Sequence, residues 1–238
     1  MGKKLALFAT IVTATGLAPA VASAAQPGVT AAVWTVHSRS ASAASAVNVL
    51  TITDQRRINN RVSAYIGPTG RLVLTAPEGL GDPDLSGSNC GLDNASPTDT
   101  SAQEVSCAPG YIGAITGDLG RGTDTFNADP GLPVYVGAVI DGIRMPLAGG
   151  PGRDRLVGGA APDLLDGGHG VDSIVGGAGV DLLIGGPGND NLSGGAGSDT
   201  LLGLGGNDRL SGGAGRDLCR GGGGFDAAKS CETARGIP

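Results

Sequence analysis

The chain has 238 residues, enough for one or two ordinary domains, and is 40% hydrophobic but only 3% aromatic, with 45 glycines and a formal net charge of −6. One Trp, three Tyr and three Phe cannot supply the buried aromatic area of a conventional core, so the glycine excess points to a repetitive or flexible architecture. The acidic balance argues against a nucleic-acid binder, because phosphates would be repelled.

Residues 1–25 read as a secretory signal peptide. Lys3 and Lys4 form the charged n-region, LALFATIVTATGLAPA the apolar h-region, and Ala22–Ala24 a small-residue cleavage motif, with the cut after Ala24 or Ala25. A membrane anchor fits less well, since the segment is short and no charged stop follows it. Cleavage removes two lysines and no acid, which moves the net charge from −6 to −8. No other stretch is long and apolar enough to span a bilayer. The expected destination is extracellular.

Residues 26–46, rich in Ala, Ser and Val, read as a flexible lead-in, although AAVWTV has the composition of a short strand. The texture changes at 47. VNVLTITD (47–54), RVSAYI (61–66), RLVLTA (71–76), YIGAIT (111–116) and VYVGAVI (134–140) are rich in β-branched residues, and turn signals such as GPTG separate them. A small β domain over 47–148 is expected. The four cysteines, Cys90, Cys107, Cys219 and Cys231, lack the C-x-x-C spacing of zinc sites. With an export signal, an even count favours two disulfides. Three connectivities are open. The local one, Cys90–Cys107 and Cys219–Cys231, is the simplest, and a bridge across the polar loop 91–106 contributes about 3 kcal/mol.

From Gly149 the chain reads in nines: GGPGRDRLV, GGAAPDLLD, GGHGVDSIV, GGAGVDLLI, GGPGNDNLS, GGAGSDTLL, GLGGNDRLS, GGAGRDLCR and GGGGFDAAK. These nine phrases fill 149–229 without insertion, and a cap over 230–238 follows. Each phrase predicts a glycine turn and a three-residue strand. With the eighth residue inward, the core is Leu156, Leu165, Ile174, Leu183, Leu192, Leu201 and Leu210. Two phrases make one coil, and the coils stack as a right-handed parallel β-roll. The aspartates then sort into two columns: Asp154, Asp172, Asp190, Asp208 and Asp226 on one edge, and Asp163, Asp181, Asp199 and Asp217 on the other. Neighbours in a column stand about 4.8 Å apart. Calcium–oxygen distances are about 2.3–2.6 Å, so one calcium fits between consecutive coils, with turn carbonyls completing the shell. The gaps number four and three.

The phrase G-G-x-G-x-D-x-U-x, with U a large aliphatic, resembles that of the repeats-in-toxin (RTX) family of calcium-binding proteins. The resemblance implies a parallel β-roll with calcium in its turns, held by the nine aspartates and by turn carbonyls. Upstream, LGRGTDTFN (119–127) is a degenerate copy, but Asp124 lies 30 residues before Asp154, outside the main register. Ala161 replaces one turn glycine, with Pro162 after it, and Leu204 replaces another, so weaker sites are expected beside Asp163 and Asp208. Cys219 and Ala228 replace the aliphatic residue in the last two phrases, where a Cys219–Cys231 bridge would fold the tail over the open end, with Phe225 helping.

Proteins with such arrays include toxins, proteases, lipases and adhesins, yet H-E-x-x-H and G-x-S-x-G are both absent. His37 and His169 read as solvated side chains. The GGxG runs lack the Lys and helix of a phosphate-binding loop. The outward residues of one strand face, Leu164, Leu182, Ile184, Leu202 and Leu218, form an apolar stripe. Internal cover is its first explanation, and a protein or surface partner its second. The sequence thus predicts an all-β, secreted, non-enzymatic calcium-binding protein: a small β domain followed by a right-handed parallel β-roll. The alternative is a calcium-dependent adhesion or partner-binding protein that uses the apolar stripe.

Overall fold

In the computed structural model, residues 29–37, 46–54, 59–76, 90–93, 103–110, 112–140 and 143–237 are described. The expected signal peptide and its cleavage site lie outside them. All regular structure among the described residues is β. Two ten-stranded sheets carry the fold, and a two-stranded hairpin stands apart.

The array alternates between the sheets, one phrase to each. Leu164–Gly170, Leu182–Pro187, Thr200–Gly205 and Leu218–Gly223 are successive parallel rungs of one sheet. Arg155–Val157, Ser173–Ala178, Asn191–Ala196, Arg209–Ala214 and Ala227–Lys229 are rungs of the other. Pairing runs at a spacing of 18, Leu183 to Leu201 and Leu192 to Leu210. The predicted inward residues from Leu156 to Leu210 are all buried in one cluster, and Cys219 continues them. A single thin aliphatic stack is therefore the core. Within the array each side chain meets its own equivalent one rung away, and the buried Phe126 continues the stack beyond Leu156.

Most strands are longer than the predicted three residues. Asn191–Ala196 reads NLSGGA, so the strand runs through the next phrase's paired glycines. Only the residues around the fourth position and the Asp turn the chain. The paired glycines inside the strands are needed because the coils touch there. At Gly186, with φ of 112°, an added Cβ would collide with the Gly168 carbonyl oxygen. Leu204 holds the equivalent place one coil on, at φ 78°, in the left-handed region that an L side chain resists.

The segment before the array shares both sheets with it. Leu147 pairs with Gly117 on one side and with Leu165 on the other. Phe126 stands between Val62 and Leu156 in the other sheet. The predicted boundary at 148 and 149 therefore coincides with no break in sheet or core. Antiparallel strands finish this end: Leu72–Ala76, Gln103–Cys107 and Cys90–Asp93 in one sheet, and Ala46–Asp54 with Val29–His37 in the other. The stretch expected as a flexible lead-in thus contains a nine-residue strand, because a sheet edge offers unpaired backbone groups that an adjacent β-prone segment satisfies. Disulfides join Cys90 to Cys107, which face each other across adjacent strands, and Cys219 to Cys231 at the far end.

The apolar stripe is interrupted. Leu164 is buried, and Leu182, Ile184, Leu202 and Leu218 are half-buried. The apolar side chains that stand most clear of the surface lie elsewhere, including Phe225 at 81% exposure and Val180 at 60%.

Candidate metal centre

Each aspartate ties two coils together. The Asp172 backbone N–H donates to Asp190 Oδ1 at 2.9 Å, and Asp190 N–H donates to Asp208 Oδ1 at 2.9 Å. The Asp172 carbonyl accepts from the Asn191 N–H at 2.9 Å. The same linkage joins Asp154 to Asp172 and Asp208 to Asp226 on the first edge. On the second edge it joins Asp163, Asp181, Asp199 and Asp217 in turn. The two columns read from the spacing are thus two continuous hydrogen-bonded ladders.

This arrangement uses one carboxylate oxygen and leaves the other. All nine repeat aspartates are buried, at 7% exposure or less. In eight of them Oδ2 is buried with no hydrogen-bond partner, Asp163 being the exception. Asp163 Oδ2 accepts the Gly159 N–H at 2.7 Å, in the phrase where Ala161 and Pro162 change the turn. A buried acceptor left unsatisfied costs about 1–3 kcal/mol, and more when charged. The first glycine of each phrase sets the space beside these oxygens. A Cβ at Gly149 would lie 2.6 Å from Asp154 Oδ2 and 2.8 Å from the Gly167 carbonyl oxygen of the next coil. A Cβ at Gly167 would meet Asp172 Oδ2 and the Gly185 carbonyl at the same two distances. The first glycine of each phrase thus keeps open a cradle walled by a carboxylate and a carbonyl.

The charged form is disfavoured there. Burial pushes the carboxyls of Asp154, Asp163, Asp181 and Asp190 up to about 7 from the ordinary 3.8. Burial also raises Asp172, Asp199 and Asp208. Backbone N–H donors pull the values down, and neighbouring carboxylates in the ladder push them further up. A column of buried, mutually repelling carboxylates is a poor arrangement for an empty protein and a good one for a cation. No three acid, His or Cys side chains converge among the described residues. A bound ion would therefore draw much of its shell from carbonyls, as hard, oxygen-seeking calcium does.

Two ladder members lie outside the nonapeptide register. Asp124, fully buried, donates its backbone N–H to Asp154 Oδ1 at 2.8 Å and so stands one coil below it. The Asn60 N–H donates in turn to Asp124 Oδ1 at 2.7 Å. Asp124 thus stands outside the register of the sequence but inside the hydrogen-bonded ladder. The hairpin of Ala138–Ile140 and Ile143–Met145 leaves the coil and returns to it, which lengthens the sequence spacing without moving the rung. At the other end the Asp217 N–H donates to Glu232 Oε2 at 2.7 Å. The degenerate LGRGTD was the available signal for Asp124. Nothing in the period pointed to Glu232.

A groove of about 410 Å³ runs along the first edge, with Asp124, Asp154, Asp172 and Asp190 among its lining residues and Arg153, Arg155 and Arg209 beside them.

Four overlapping segments, 148–183, 170–201, 184–219 and 193–227, match the family model of the RTX calcium-binding nonapeptide repeat. Comparison with curated proteins and with solved structures finds no match. Residues 148–227, about a third of the chain, are therefore RTX repeats, and calcium is the ion that such repeats bind.

Proposed function

We propose that this RTX array belongs to a secreted protein whose roll folds and stiffens by taking up calcium outside the cell. The two Asp ladders would hold the ions, one in each gap between successive aspartates. The unpartnered Oδ2 atoms facing open glycine cradles carry this reading. Calcium supplies the positive charge that these buried carboxylates lack. The chain supplies the rest: Oδ1 fixes the coil spacing, Oδ2 and the glycine carbonyl face the cradle, and the aliphatic stack keeps water from the inner side.

The energetics set the location. At millimolar calcium and a site constant near 10⁻⁴ M, typical of extracellular modules, each site adds about 1.4 kcal/mol. Seven gaps add on the order of 10 kcal/mol, comparable to a whole domain's stability. At sub-micromolar cytosolic calcium the same sites add essentially nothing, and a glycine-rich chain with stacked carboxylates has little reason to order. Synthesis would leave the array unfolded, and export would fold it. A structural role without catalysis follows, supported by the absence of the protease and lipase motifs.

Calcium titration calorimetry with circular dichroism tests this reading. The expected result is several ions bound per chain and a β signal that collapses in excess EDTA at pH 7.5. An unchanged β signal in the chelator would overturn it.

A further inference from the structure

The second ladder continues past the last repeat. Asp217 N–H donates to Glu232 Oε2 at 2.7 Å, as Asp199 N–H donates to Asp217 Oδ1 at 2.9 Å. Thr233 N–H donates to the Asp217 carbonyl at 3.0 Å, as Leu218 N–H donates to the Asp199 carbonyl at 2.8 Å. The strand Thr233–Arg235 pairs in parallel with Leu218–Gly223, with Thr233 opposite Leu218. Glu232 therefore fills the aspartate's place on one more rung. It does so 15 residues after Asp217 instead of the usual 18. The turn is shorter by that difference, with Ser230 at φ 50° in the reversal. The side chain that reaches the Asp217 N–H here is one methylene longer than Asp.

A second observation concerns the rung below. Asp217 is 2% exposed, and its Oδ2 has no hydrogen-bond partner. A Cβ at Gly212 would run into both this oxygen and the Ser230 carbonyl oxygen. The cradle at Gly212 is thus walled from above by the terminal segment, which contributes a carbonyl beside a carboxylate. The Cys219–Cys231 disulfide anchors that segment to the core stack, since Cys219 is fully buried.

We propose that Asp217, the Ser230 carbonyl and Glu232 form a terminal calcium site that closes the second edge of the roll, with the Cys219–Cys231 bridge holding Glu232 in position. The inference rests on calcium binding by the array. All these donors are oxygens and two are carboxylates, a set suited to a hard divalent cation. The open end of a stacked fold has only one neighbour and opens first. An ion there would pin the last rung.

The test uses the full, disulfide-bonded chain and calcium itself. Bound ions are counted by native mass spectrometry, and amide exchange is followed in calcium and in EDTA for wild type, Glu232→Gln and Glu104→Gln. The glutamine keeps an oxygen for the Asp217 N–H, so the rung is retained while the charge is lost. Glu104→Gln makes the same charge change away from the edges. The expected result is one ion fewer in Glu232→Gln alone, with exchange over Thr233–Arg235 in calcium rising at least tenfold. An unchanged ion count and unchanged exchange in Glu232→Gln would overturn the terminal site while leaving the array's calcium binding intact. A wild-type chain that binds no calcium would overturn both.

Discussion

Asp190 stands in the middle of the first ladder, and replacing it with Asn should stabilise the metal-free roll far more than the calcium-loaded one. Its carboxyl is pushed up to about 7 by burial, from an ordinary 3.8. Between those values the folded chain holds a proton that the unfolded chain releases. The metal-free stability from this group is therefore complete below about pH 4 and is lost as pH rises through about 7. The shift is about 3 pH units at about 1.4 kcal/mol each, so the ionised group costs the metal-free roll about 4 kcal/mol at pH 8. Asp190→Asn removes that charge and keeps an oxygen for the Asp172 N–H. In EDTA at pH 8 the variant should be up to about 4 kcal/mol more stable than wild type. At pH 4 the advantage should vanish. In calcium at ten times the site constant, the lost ligand in two gaps takes away about 3 kcal/mol of that gain and leaves about 1 kcal/mol. Urea midpoints followed by circular dichroism read the effect in calcium and at pH 4, and in EDTA at pH 8, where the wild-type β signal collapses, the β signal that the variant regains reads it. A lower urea midpoint in calcium together with no β signal regained in EDTA at pH 8 would refute the reasoning, because the carboxylate would then be an ordinary structural acceptor.

Three further outcomes follow from the coil contacts. Gly188→Ala places a Cβ against the Gly170 carbonyl oxygen and should lower stability in calcium by about 3 kcal/mol, whereas Gly205→Ala meets nothing within 4 Å and should change it by less than about 0.5 kcal/mol. Leu204→Gly relieves a left-handed leucine that is 51% exposed and should raise the urea midpoint, by about 1 kcal/mol after the added freedom of the unfolded chain is counted. Cys107→Ser opens the 17-residue separation closed by the Cys90–Cys107 bridge and should cost about 3 kcal/mol, read as a lower thermal midpoint in calcium.

Much of the site was legible because a strict period is itself a structural statement. A repeat of nine with an inward aliphatic residue in each phrase leaves few ways to bury that residue, and two phrases per coil place Asp172 above Asp154 and Asp190 above Asp172. The glycines were only partly legible. Their abundance suggested turns, whereas Gly149 and Gly167 lie in strands and are small because a carboxylate and a carbonyl stand where a Cβ would be. Asp124 was hidden by the excursion at Ala138–Met145, and Glu232 by a shortened turn. Both changes alter sequence spacing and preserve spatial register.

The sequence by itself determined the ion, the two-column plan and the aliphatic stack, since these depend on residue type at fixed intervals. The tertiary structure decided where the ladders end. Parallel pairing responds to the position of a backbone rung in space and not to the number of residues used to reach it. A hairpin of any length can leave a coil, and a longer acid can serve a shorter turn. For that reason the array continues beyond its own period, to Asp124 at one end and Glu232 at the other.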